Sequence, residues 1–129
     1  MSDQDRRKQA EGRLIAASAA LAGFAVMLGA FGAHALKARL GAQALGWWET
    51  ATQYEMWHAL AALVLSLSGR KWTRLPAQLL LAGSLAFSLT LYAMALGGPR
   101  WLGAVTPLGG LAMISGWTLL AWRALRGFD

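Results

Sequence analysis

Three long stretches of the chain carry no charge: Leu14 to Ala33, Leu75 to Gly98 and Trp101 to Trp122. Each reaches the roughly 20 residues that a helix needs to cross about 30 Å of hydrocarbon. A fourth apolar run, Met56 to Ser68, falls short of that length and alone would suit a buried soluble helix. Extended back to Trp47 it becomes "WWETATQYEMWHALAALVLSLSG", which as a helix is about 34 Å long. Trp47, Trp48, Tyr54 and Trp57 then gather at one end as an aromatic belt, and Gly69 with "RKW" closes the other. The pattern predicts an all-α fold, a bundle of four transmembrane helices over about 14–33, 47–69, 75–98 and 101–122. Residues 1–13 read as a basic flank, 14–122 as the membrane domain and 123–129 as a short tail.

Between the first two spans lies "HALKARLGAQALG". Leu36, Leu40 and Ala44 recur at every fourth position, with Lys37, Arg39 and Gln43 on other sides. This suits either a short amphipathic helix lying in the interface or an ordinary helical connection. The first span also has a competing reading as a signal peptide, because a basic start precedes it and Ala33-His34-Ala35 has small-x-small character. Its apolar run is longer than the usual h-region of about 7–15 residues, and further spans follow, so it is read as a span.

Charge orients these spans. One side of the membrane would hold Arg6, Arg7, Lys8, Arg13, Arg70, Lys71, Arg74, Arg123 and Arg126, and the other Lys37, Arg39 and Arg100. Under the positive-inside rule both termini are expected in the cytoplasm, in a multi-pass protein of the cytoplasmic (inner) membrane. Only 14% of the residues are charged, against about 25% in a soluble domain. The basic clusters sit between apolar runs rather than on a solvated face, so lipid is the expected partner and nucleic acid is not. Cysteine is absent, which excludes disulfides, thiolate catalysis and iron–sulfur ligation.

The orientation gathers polar residues at one depth. His34 ends the first span, Tyr54, Glu55 and His58 fall in the outer half of the second, Ser88 and Tyr92 in the outer half of the third, and Thr106 with Pro107 near the start of the fourth. Ionisable groups inside a membrane segment are functional candidates by default. His34, His58, Tyr54 and Tyr92 are expected to form one outer cluster. Thr106 is placed to cap the fourth helix, with Pro107 in its first turn. Small residues mark the packing faces: Ala25, Gly29, Gly32 and Ala33 in span one, Ser84 and Ser88 in span three, and Gly109, Gly110, Ala112 and Gly116 in span four.

"LGAFGAHAL", "YEMWHALAAL", "SLAFSLTLY" and "VTPLGGLAMISGW" occur in that order. Together they resemble the family catalogued as domain of unknown function 423, the YgdD-like and YwdK-like small membrane proteins. The resemblance covers about Leu14 to Trp122. It implies four transmembrane helices in the cytoplasmic membrane and no particular reaction. The residues matching its pattern are Gly29, Gly32, His34, Tyr54, His58, Ser88, Tyr92, Thr106, Pro107, Gly109 and Gly110. Two departures stand out: the third motif often reads closer to "FSGSLY" where this chain has "FSLTLY", and Glu55 stands where the resembling pattern commonly has Gln.

Three functions fit such a chain. No nucleophile–base–orienter set, phosphate loop or metal motif is present, so it is expected not to be an enzyme and to need no cofactor. An accessory or structural role through helix–helix contacts, with its own copies or a larger membrane complex, fits the small-residue stripes. Transport through a Glu55–His58–Tyr54 relay is the alternative. Four helices hardly enclose a pathway, and the first span lacks the acidic residue that small multidrug transporters use, so this would require an oligomer. Haem or metal ligation by His34 and His58 is a second alternative. Glu55 and His58 have the Glu-x-x-His spacing of di-iron bundles, but those sites need two such motifs.

Overall fold

The computed structural model describes residues 1–127 and is all-helical among them. Four long helices follow one another: α1 Asp3–Phe31, α2 Ala42–Leu67, α3 Lys71–Ala95 and α4 Leu102–Arg126. A π-turn, Gly32–Leu36, extends the end of α1. α1 packs on α2, α2 on α3 and α3 on α4. The two middle helices therefore carry the interior, and α1 lays most of its surface open: Phe24, Val26, Met27 and Phe31 are all exposed. Three of the helices, including α1 with its π-turn, are long and apolar enough to cross a membrane.

α2 is not among those three, although it is 26 residues long. Its burial explains why it can be less apolar. Trp48, Ala51, Glu55, His58, Ala59, Ala62 and Ser66 face the other helices. The strip left outside runs through Gln53, Trp57, Leu60, Val64 and Leu67, polar at one end and apolar from Trp57 on. Lipid meets only that strip, so the polar residues of α2 need partners within the protein rather than exclusion from it.

Several boundaries differ from the sequence reading. The basic flank is not a separate segment, because α1 begins at Asp3. Ser2 caps it: the Ser2 hydroxyl accepts from the Asp5 amide at 3.1 Å, and the Asp5 carboxylate accepts from the Ser2 amide at 3.0 Å. No separate interfacial helix forms at 34–46. Residues 34–36 belong to the π-turn, and α2 starts at Ala42. Leu36, Leu40 and Ala44 instead pack with Trp48, Leu91, Tyr92 and Ala95, closing that end of the bundle. α4 begins at Leu102, so Thr106 is no cap and Pro107 lies past the first turn. The expected tail is helical through Arg126 with a left-handed Gly127 after it, and 128–129 fall outside the described residues.

Prolines leave usable carbonyls. Pro76 lies inside α3 and has no N–H, so the carbonyl of Trp72, one turn earlier, lacks its helical partner. Arg123 donates to that carbonyl at 2.8 Å. A side chain at the end of α4 thus clamps the start of α3.

Candidate functional site

The polar residues expected as one outer cluster form three separate connections, each between a different pair of helices. The first joins α2 to α3. Glu55 is 2% exposed, and the Tyr92 hydroxyl donates to its Oε1 at 3.0 Å. Long helical side chains lean toward the N-terminus of their own helix. In antiparallel neighbours the two therefore lean toward each other, and Glu55 and Tyr92 meet although their backbones sit at different levels. On the same face the Ser88 hydroxyl donates to the Ala51 carbonyl at 3.0 Å. Glu55 Oε2 is buried and has no hydrogen-bond partner.

The second connection joins α2 to α4. His58 Nδ1 lies 2.7 Å from the Tyr54 carbonyl, and Trp117 Nε1 donates to His58 Nε2 at 3.1 Å. A carbonyl can only accept and an indole N–H can only donate. The ring is therefore neutral in this arrangement, with its proton on Nδ1. The Tyr54 ring stacks on His58 with centroids 5.8 Å apart and also touches Phe87 at 4.8 Å. Both ring nitrogens of His58 are thus committed to protein partners.

The third connection joins α3 to α4. The Thr90 and Thr106 hydroxyls lie 2.7 Å apart. Each hydroxyl also donates back to its own helix, Thr90 toward Ala86 and Phe87 and Thr106 toward Leu102. A hydroxyl has one proton, so these donations alternate with the bond between the two side chains.

His34 belongs to none of these. It sits exposed in the π-turn, away from His58, so the expectation of a shared histidine cluster fails. Within this π-turn Gly32 and Leu36 are buried, and His34, midway between them, is exposed. Among the described residues, no three His, Cys, Asp or Glu side chains come together as a metal site.

The packing glycines divide in the same way. A Cβ on Gly32 would lie 2.5 Å from Trp48 Cδ1, so α1 and α2 touch through this glycine and that indole. Trp48 Nε1 donates to the Leu28 carbonyl at 2.8 Å, and its ring lies 4.6 Å from that of Tyr92. Gly109 faces Gly83 and the Phe87 backbone, and Gly116 faces Leu80. Ala25 is buried. Gly29 and Gly110 have open space where a side chain would be, and Ala33 is exposed, so these three take no part in packing within the chain.

Sequence reasoning missed Gly83, Thr90 and Trp117, and it put Trp48 in an interfacial belt where the structure buries it in the core. Trp48 had a signal, since Leu36, Leu40 and Ala44 continue to it at the same interval of four. Thr90 occupies the place of a serine in the resembling motif and keeps its hydroxyl. Leu89, in the place of the motif's glycine, points outward and is exposed. The two departures in "FSLTLY" therefore leave the α3 contacts intact.

The family model described as "Protein of unknown function (DUF423)" matches residues 28–110, which hold most of these connections. The chain is 39% identical over 113 residues to the UPF0382 inner membrane protein YgdD of Escherichia coli K12, covering 84% of this chain and 86% of that one. It is 40% identical over 111 residues to a UPF0382 membrane protein of Haemophilus influenzae, covering 83% and 90%. It is 43% identical over 108 residues to one of Staphylococcus epidermidis, covering 79% and 86%. No solved structure matches it. With its four long helices and these relatives, the chain belongs to the DUF423 family and is an integral protein of the inner membrane.

Proposed function

We propose that the protein is a non-catalytic structural subunit that acts by packing its helices against those of a larger membrane complex, with both termini in the cytoplasm. The observation that carries this reading is how its interior polar groups are used. Two of the three side chains that the relay would need carry bonds between the chain's own helices, Glu55 accepting from Tyr92 and His58 from Trp117, and Ser88 adds a bond to Ala51. Such bonds fix a bundle where lipid supplies no hydrophobic drive. Meanwhile α1 keeps an apolar face, with Phe24, Met27 and Phe31, that its own chain leaves uncovered. The orientation rests on the excess of basic residues at the end of the bundle that holds both termini. The test is mild-detergent purification of tagged protein from its native membrane, with mass spectrometry of what accompanies it. A stoichiometric partner is the expected result, and protein that emerges alone or only with itself overturns the reading.

One observation favours a second reading, proton carriage. Glu55 Oε2 is buried without a partner, and an unpaired carboxyl oxygen can take or release a proton. Proteoliposomes containing the purified chain should then dissipate a pH gradient faster than empty vesicles, and Glu55→Gln should remove the difference. Equal rates for all three preparations refute this reading. His58 gives haem ligation no support, since both its nitrogens are in use and His34 lies elsewhere.

A further inference from the structure

A cavity of about 270 Å³ opens where the start of α1 meets the turn between α2 and α3. Arg7, Arg70, Lys71 and Arg74 line it, with Glu11 as the one acidic residue. We infer that this cavity binds the phosphate headgroup of an anionic phospholipid.

Three observations carry this. First, these cations are unspent. Three other basic residues near this end have partners: Arg6 pairs with Asp3, Arg123 donates to the Trp72 carbonyl, and Arg126 lies over the Trp122 ring. Lys8 and Arg13 are also without an ion pair among the described residues but do not line the cavity. No ion pair holds Arg7, Arg70, Lys71 or Arg74 among the described residues, and all four are exposed. Four cations around one concavity repel one another unless an anion joins them. Second, α3 starts at this cavity with Arg70 as its N-cap, and no side chain caps it. Its first amides and its dipole point toward negative charge. Third, the wall changes character with depth. Leu14 begins the uncharged run of α1 and Leu65 lies in the last turns of α2, and both line the cavity. A soluble anion has no use for that apolar floor, whereas a phospholipid places its phosphate among the cations and its chains below them.

The test uses full-length protein in a non-ionic detergent, with native mass spectrometry and thermal melts. Phosphatidylglycerol and phosphatidylcholine of the same acyl chains are added separately, and inorganic phosphate in parallel. Phosphatidylglycerol should be retained and should raise the melting temperature, and phosphatidylcholine should do neither. The triple variant R7Q/R70Q/R74Q should weaken phosphatidylglycerol retention by on the order of tenfold or more. Arg74→Gln alone, at an exposed and unpaired site, should act in the same direction and guards against a triple variant that does not fold. K37Q/R39Q, at the other end of the bundle, should leave retention unchanged.

Equal retention of the two lipids overturns the proposal. So does an equal loss in K37Q/R39Q, which would mean diffuse attraction to a basic protein. An equal melting shift from inorganic phosphate alone assigns the cavity to a free anion and also overturns it.

Discussion

Substitution of Gly32 by alanine should destabilise the protein, while the same change at Gly29 should not. Both glycines lie on the stripe that the sequence marks for packing, so the pair separates geometry from pattern. At Gly32 the new Cβ would lie 2.5 Å from Trp48 Cδ1 and 2.6 Å from Trp48 Nε1. Ordinary carbon contacts need about 3.5–4.0 Å, so the indole must move by roughly 1 Å. It is poorly placed to do so. Trp48 is buried, bonded to the Leu28 carbonyl and packed on Tyr92. Overpacking of this kind costs about 1–3 kcal/mol, and losing the indole hydrogen bond adds about 0.6–1 kcal/mol. The better helix propensity of alanine returns up to about 1 kcal/mol. The net expectation is a loss of about 1–3 kcal/mol at Gly32. At Gly29 nothing lies within 4 Å, so only the propensity gain of at most about 1 kcal/mol remains. Reversible unfolding in mixed micelles, followed by near-ultraviolet circular dichroism, measures both. In a Trp48→Ala background the Gly32→Ala penalty should largely vanish, because the clashing ring is gone. Equal losses at the two glycines, or a penalty that persists without Trp48, would refute the close approach.

Four further outcomes can be checked in the same assay or beside it. Gly109→Ala should cost at least as much as Gly32→Ala, because its Cβ would meet the Phe87 amide at 2.6 Å and the Gly83 carbonyl at 2.7 Å, and backbone yields less than a side chain; a neutral Gly109→Ala would contradict the α3–α4 packing. Glu55→Gln keeps an acceptor for Tyr92 and should stay within about 1 kcal/mol of the parent, while Glu55→Ala strands that hydroxyl and should lose about 1–3 kcal/mol; equal losses would mean that the carboxylate itself matters. His34→Ala should be neutral within about 0.5 kcal/mol, His58→Ala should lose about 1–3 kcal/mol, and the double variant should show the sum, whereas non-additivity would place the two rings in contact. At the N-terminus, the hydrogen bonds from the Ser2 side chain and backbone hold the Asp5 carboxyl below its ordinary value of 3.8. The cap's contribution is therefore full above that value and disappears as pH falls through the lower folded one, read from the helical carbon shifts of residues 3–7; fraying near neutral pH would contradict it.

The helices were legible because uncharged length is a strong signal in lipid, where only helices and closed barrels satisfy the backbone. Their ends were less so. α1 reaches back to Asp3 through a charged segment because a two-way cap, not hydropathy, sets its start. α2 could be found only by extending a short apolar run, since a helix covered by neighbours can carry Glu55 and His58 at little cost. The site was half legible. Depth arguments selected Glu55, Tyr92, Ser88, His58 and Thr106, all of which are buried. Depth cannot tell which face of a helix a residue occupies. Ser88 and Thr90 sit two apart on α3, and that rotation sends one to α2 and the other to α4. Trp117 escaped for a related reason: in an apolar span an indole reads as bulk, and its single N–H shows its use only when an acceptor stands opposite.

These particulars bear on what kind of protein this is. If Glu55 worked as a proton carrier, the groups around it should hold it in a way that only a carboxylate satisfies. The Tyr92 hydroxyl asks only for an oxygen acceptor, which Gln supplies equally well, and Gln is what the resembling pattern commonly has there. At Thr90 and Leu89 the chain also departs from that pattern, yet the hydroxyl that meets Thr106 is kept and the outward position faces lipid. At Glu55 and Thr90 what survives the departure is a bond between helices, and at Leu89 no such bond is at stake. A bundle that preserves its internal joints keeps its shape without calling on a titratable group. That is the physical ground for placing a structural role ahead of transport.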